Sequence, residues 1–142
     1  MRTHRTTHDQ RDRRTGVVSV EMALTMPLYF TLLFGAMEFA RVNVVLHTME
    51  NSAYEGARRL IVPGSTAAQG EATALAGLTA VKINNPTVTV TPDPLTGIET
   101  EVTVTISVPL NGNAWVTPNI FKDVTLTRSC TLSTERTVTV VE

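Results

Sequence analysis

Residues 17–37 (VVSVEMALTMPLYFTLLFGAM) are apolar or small throughout, with one charge, Glu21, near the start of the run. Wound as an α-helix at 1.5 Å per residue, this stretch spans about 31 Å, the thickness of a bilayer's hydrocarbon core. Burial inside a globular domain is the alternative for a helix that is apolar on all sides, but 142 residues provide little scaffold to surround one. Removal as an ordinary signal peptide requires small residues one and three positions before the cut. Cleavage after Ala36 would place Phe34 at the third position, and cleavage after Ala40 would place Met37 there. The run therefore reads as a retained, single transmembrane helix.

Charge orients it. Residues 1–16 carry five arginines against two aspartates, a net +3, whereas residues 17–142 carry seven basic against eleven acidic side chains, a net −4. Arginines before the span and few after it place the head in the cytoplasm and the remainder outside. The sequence thus divides into a basic leader at 1–16, a membrane segment at 17–42 and an extracytoplasmic domain at 43–142. An overall charge of −1 gives no general attraction to nucleic acid, so no nucleic-acid partner is expected.

Glu21 is costly where it stands: insertion scales charge about 2.5–3.5 kcal/mol for an acidic residue at mid-bilayer, less toward the interface, so a role is to be sought for it. Snorkelling to the interface is the simplest one. Its position, however, is the fifth residue after Gly16, which closes Arg13-Arg14-Thr15-Gly16 and precedes Val17-Val18-Ser19-Val20-Glu21. This arrangement resembles the prepilin cleavage motif. The resemblance implies cleavage by a prepilin peptidase between Gly16 and Val17, with Glu21 as the carboxylate that neutralises a subunit's new amino terminus during assembly.

Two later segments narrow the resemblance. Glu38-Phe39-Ala40-Arg41 closes the apolar run, and Asn51-Ser52-Ala53-Tyr54-Glu55-Gly56-Ala57-Arg58 follows. Together they resemble the TadE-like proteins, minor pilins or pseudopilins of the tight adherence (Flp pilus) apparatus. The pattern is carried by Glu38, Phe39, Arg41, Glu55, Gly56, Ala57 and Arg58. Membership implies a pilin-like fold, a bacterial inner-membrane location and incorporation into a cell-surface pilus as one fate. It also implies, as partners, the prepilin peptidase, other pilin or pseudopilin subunits, the Tad membrane platform and the lipid bilayer. A permanently anchored extracytoplasmic binding domain is the competing reading.

From Val17 to about Val62 only Pro27 interrupts helical chemistry, and the missing donor predicts a kink near Thr25 and Met26 without termination. Beyond Met37, Phe39, Val42, Val45, Leu46, Met49, Ala53, Ala57 and Leu60 recur at threes and fours, which predicts an amphipathic, packed outer half. Glu38 with Arg41, and Glu55 with Arg58 and Arg59, have the spacing of solvated ion pairs. Gly56 lowers helix propensity by about 1 kcal/mol, which points to a second backbone approaching there. Pro63 and Gly64 end the helix. Ser65 is the expected N-cap of a second helix over 67–81.

After the turn at Asn84-Asn85-Pro86 the composition changes: 14 of the last 56 residues are threonine, and valine alternates with it. Strands are expected around Val88 and Val90, over 101–108, and around Val124, Leu126, Cys130 and Leu132, making a three-stranded antiparallel meander. The turn at 92–97 connects the first two. Thr117 as cap and Pro118 in first position suggest a short helix in the next connection, and residues 137–141 alternate once more as an edge strand. Arg128 breaks the parity of its strand, indicating a bulge or, preferably, a place near the sheet rim. The class is α+β: a long N-terminal transmembrane and amphipathic helix, a second helix, and a sheet whose valine face the helices cover.

Catalytic chemistry is not indicated. His4 and His8 fall in the leader, His47 has no neighbouring ligand in sequence, and Cys130, the single cysteine, reads as a small core hydrophobe. No nucleophile elbow, phosphate loop or zinc motif occurs, so no catalytic residue, metal or cofactor is expected.

Overall fold

The computed structural model describes residues 8–96, 99–115 and 123–134, with side chains from residue 16 onward. Its elements are α1 (His8–Leu60), α2 (Ala67–Ala80), β1 (Thr87–Thr91), β2 (Glu101–Pro109) and β3 (Thr125–Ser133). The strands form one antiparallel sheet in the order β1-β2-β3, so the α+β class and the meander are as the sequence implies. Contacts divide the chain into two units, one ending at Met37 and one beginning at Glu38. The expected short helix at Thr117 and Pro118, the strand at 137–141 and Gly97 of the first connection lie outside the described residues.

In the first unit α1 passes through Pro27 without ending. Threonine is tolerated in this apolar stretch because its hydroxyl returns to the backbone. Thr25 Oγ1 donates to the Glu21 carbonyl at 2.7 Å and Thr31 Oγ1 to the Pro27 carbonyl at 2.8 Å, so neither hydroxyl needs water. From 16 to 37 every side chain is exposed except the half-buried Thr25, and an 18-residue window has a mean hydropathy of 1.7 with no residue buried. A core helix of the protein would be covered; this one is long and apolar enough to cross a membrane and is bare.

The second unit is built around β2. Its side chains alternate, with Val102, Val104, Ile106 and Val108 buried and Thr103, Thr105 and Ser107 on the opposite face. On that opposite face hydroxyls pair across strands, Thr103 with Thr131 at 2.8 Å and Ser107 with Thr127 at 3.2 Å. The valine face packs with Val45, Met49, Ala53, Ala57 and Leu60 of α1 and with Ala74 and Leu78 of α2. Gly56 lies where the sequence argument requires: a Cβ there would come within 3.1 Å of both the Gly70 carbonyl and Ala74 Cβ.

Five expectations are corrected. Phe39 is 73% exposed and Val42 and Leu46 only half-buried, because the packed stripe advances by fours and threes from Val45 and these residues fall off its centre. Glu38 and Arg41 are not a solvated pair, since both reach the loop after β2 and Glu38 is buried. Glu55 has no ion-pair partner among the described residues, so its expected pairs with Arg58 and Arg59 do not form. Val124 precedes β3 and is 41% exposed, outside the core. Ser65 does not cap α2; Thr66 occupies the N-cap position, while Ser65 Oγ donates back to the carbonyls of Leu60 and Val62 and closes α1.

The C-terminus of α2 is closed by paired turns. Ile83 N donates to the Leu78 carbonyl at 3.2 Å and Lys82 N to that of Thr79 at 3.0 Å, with Ile83 and Leu78 both buried. This motif places Lys82 at φ +54°, a left-handed conformation that favours glycine. Lys82→Gly should therefore stabilise the domain by about 0.5 kcal/mol, the relief of strain outweighing the added unfolded-state entropy. A lowered denaturation midpoint in that variant would contradict the assignment.

Candidate functional site

The residues singled out by sequence fall on α1, distributed over both units. In the first, Gly16 is already helical, with nothing within 4 Å of where a Cβ would stand. Val17 is 68% exposed and Glu21 is exposed one turn further on. Val17, Glu21, Leu24 and Leu28 recur at spacings of four, three and four, so one stripe of this bare helix carries the carboxylate among apolar neighbours. The Gly16–Val17 bond lies inside α1 and not before it, since the helix begins at His8.

In the second unit, Glu38 is only 7% exposed and its Oε2 accepts the Trp115 backbone N–H at 3.1 Å. One turn on, Arg41 Nε donates to the Asn113 carbonyl at 3.3 Å, and its guanidinium carbon lies 5.4 Å from the Trp115 ring centroid. Helical spacing of three puts both side chains on one face, where they hold the loop over 110–115. That loop is fixed a second time through Asn113. Its amide accepts from Asn84 N at 2.8 Å and donates to the carbonyls of Asn84 at 2.9 Å and Pro109 at 2.8 Å.

The later motif is divided by the helix surface. Gly56 and Ala57 are buried against α2 and the sheet, whereas Glu55 and Arg58 are exposed and line, with Arg59, Val62 and Thr73, a shallow groove of about 350 Å³. A glycine and an alanine at this point let α2 approach, and the charged residues beside them keep the outer face wet. The motif thus has an architectural half and a surface half.

The motif residues singled out by sequence, Gly16 to Arg58, lie in one stretch of α1, and that stretch is matched by a known family. Residues 16–58 match the family model of TadE-like proteins. The match bears out the resemblance drawn from the motifs, and the family is associated with Tad pilus systems. No curated protein and no solved structure matches the chain. The TadE-like stretch starts at Gly16, contains Glu21, Glu38, Phe39 and Arg41, and ends on Arg58. α2 and the sheet lie beyond it.

Three contributors escaped the sequence reading. Asn113 and Trp115 lie in a loop, and nothing local marks them as partners of a helix 72 and 77 residues earlier. The third is Glu50, whose Oε1 accepts from Arg128 Nε at 2.9 Å while His47 Nδ1 lies 3.5 Å from its other oxygen. Arg128 pairs in register with Ile106 without a bulge, on the strand that forms one edge of the described sheet, as the rim reading expects. Its parity is that of the helix-facing side because its partner is on α1. Both groups are about half exposed, so the pair is worth at most about 1 kcal/mol.

Proposed function

We propose that this chain is a non-enzymatic minor pilin or pseudopilin of a Tad/Flp-type pilus or secretion apparatus, inserted through residues 17–37 with its leader in the cytoplasm. The observation that carries the reading is the TadE-like match beginning at Gly16, followed by a bare apolar run over 17–37 whose one acidic residue is the fifth after that glycine. Its partners on this reading are a prepilin peptidase, other pilin subunits and the Tad membrane platform, with the bilayer as the medium before assembly.

Gly16 suits a cleavage point inside a helix: it presents no side chain to a peptidase and costs about 1 kcal/mol of helix propensity relative to alanine, so the backbone opens most readily there. Gly16→Leu should leave the leader attached, and N-terminal sequencing of the wild-type protein should begin at Val17. A mature start elsewhere, or normal maturation of the variant, would remove the processing step.

Glu21 is the test of assembly. A carboxylate near the interface is compatible with the bilayer but gains nothing there without a cation, such as a newly formed amino terminus. Glu21→Leu should insert normally and be lost from sheared pilus or pseudopilus fractions. Unimpaired assembly would favour the permanently anchored binding domain.

A further inference from the structure

We propose that the loop over 110–115 is a membrane-surface contact: Trp115, held by Glu38 and Arg41, lies in the headgroup zone of the bilayer that α1 crosses. This inference rests on the membrane-spanning reading of residues 17–37 and adds a second point of attachment to it.

The apolar run ends at Met37, and Glu38 and Arg41 occupy the next helical turn, within about 6 Å of it along the axis at 1.5 Å per residue. Trp115 is tied to this level twice, by its backbone N–H on the Glu38 carboxylate and by its ring beside the Arg41 guanidinium. Yet Trp115 is not part of the core: it remains 63% exposed. Phe39, at the same level on another side of α1, is 73% exposed. In water two bare aromatics near one turn of a helix are an unfavourable arrangement. At a bilayer surface they are the preferred one, since tryptophan combines an apolar ring with an N–H donor and concentrates between hydrocarbon and headgroups.

The charges fit the same place. Arg41 offers the remainder of its guanidinium to lipid phosphates while its stem packs against protein. Glu38, which phosphates would repel, is buried and accepts a backbone hydrogen bond. A neighbouring copy of the chain is the competing cover for Trp115; lipid is favoured because the apolar run ends at Met37, one helical turn from Arg41.

Trp115 is the only tryptophan, so its fluorescence reports this loop alone. The full-length protein would be reconstituted at high lipid-to-protein ratio into phosphatidylcholine and phosphatidylglycerol vesicles carrying bromine near the glycerol end or near the methyl end of the acyl chains. The expected result is a blue-shifted emission quenched strongly by the shallow bromine, weakly by the deep one, and little by aqueous iodide. Two results would overturn the proposal. Emission quenched by iodide and not by bromolipid places the loop in water, and emission shielded from both places it under protein. Flotation of the same vesicles after an alkaline wash reports the anchor separately. Protein that floats with an unquenched Trp115 refutes the loop contact alone, and protein that is washed away refutes the spanning helix and the contact with it.

Discussion

Val104→Asp should abolish the fold of the helix-and-sheet domain while leaving membrane insertion through residues 17–37 intact. Val104 is fully buried in the central strand, in register with Val90 on one side and Cys130 on the other, with Cγ1 3.5 Å from the Cβ position of Gly56. The substitution loses the burial of a valine, about 1.5 kcal/mol or more. It also places a carboxylate in the hydrophobic core between β2 and the helices, a cost of several kcal/mol even after relaxation. A small domain has about 5–15 kcal/mol of stability in total, and the two terms together consume most of it. Limited proteolysis of intact membranes should then degrade the domain and spare the anchor. A domain as protease-resistant in this variant as in the wild type would mean that β2 does not face the helices.

This sensitivity was legible in the sequence because its cause is periodic. Alternation of Val102, Val104, Ile106 and Val108 with threonine and serine declares which side of a strand is dry, and only one strand of three, the central one, keeps all four inward residues covered. Gly56 was legible for a similar reason: a glycine in the middle of a helix must be repaid by contact, and the Gly70 carbonyl and Ala74 supply it. The long apolar helix was legible from apolarity alone, and the TadE-like match of its stretch from the motifs at Gly16, Glu21, Glu38 to Arg41 and Glu55 to Arg58.

What escaped depends on partners far along the chain. A glutamate and an arginine three apart on a helix look like a solvated pair, and only the presence of Trp115 and Asn113 turns them into loop anchors. Phe39 looked like core because hydrophobicity at helical spacing does not distinguish a protein interior from a lipid boundary; its exposure makes sense at the end of an apolar run. Arg128 looked misplaced because parity identifies a face without saying what covers it. Glu50 opposite makes an inward-facing arginine at an edge strand tolerable.

Asn113 is the site where this hidden tertiary chemistry should have its largest effect. It is 3% exposed, and its side chain serves three backbone groups at once, the N–H and carbonyl of Asn84 and the carbonyl of Pro109. It therefore joins the turn before β1 to the end of β2, while its own carbonyl receives Arg41. Asn113→Ala strands one donor and two acceptors in a part-buried site. At about 1–3 kcal/mol for each fully buried group, less where water can enter, the expected cost is about 2–3 kcal/mol. Asn113→Asp separates the roles of the two amide atoms: it keeps an acceptor for Asn84 N but turns a carboxylate oxygen toward two carbonyls, so it should be at least as destabilising as alanine despite its equal size. Denaturation of the full-length protein in detergent should show both losses, and the Asn84 amide should exchange faster with solvent in the alanine variant. Should alanine cost less than about 0.5 kcal/mol, as at an ordinary surface position, the amide would not be the tie that joins this loop to the turn before β1.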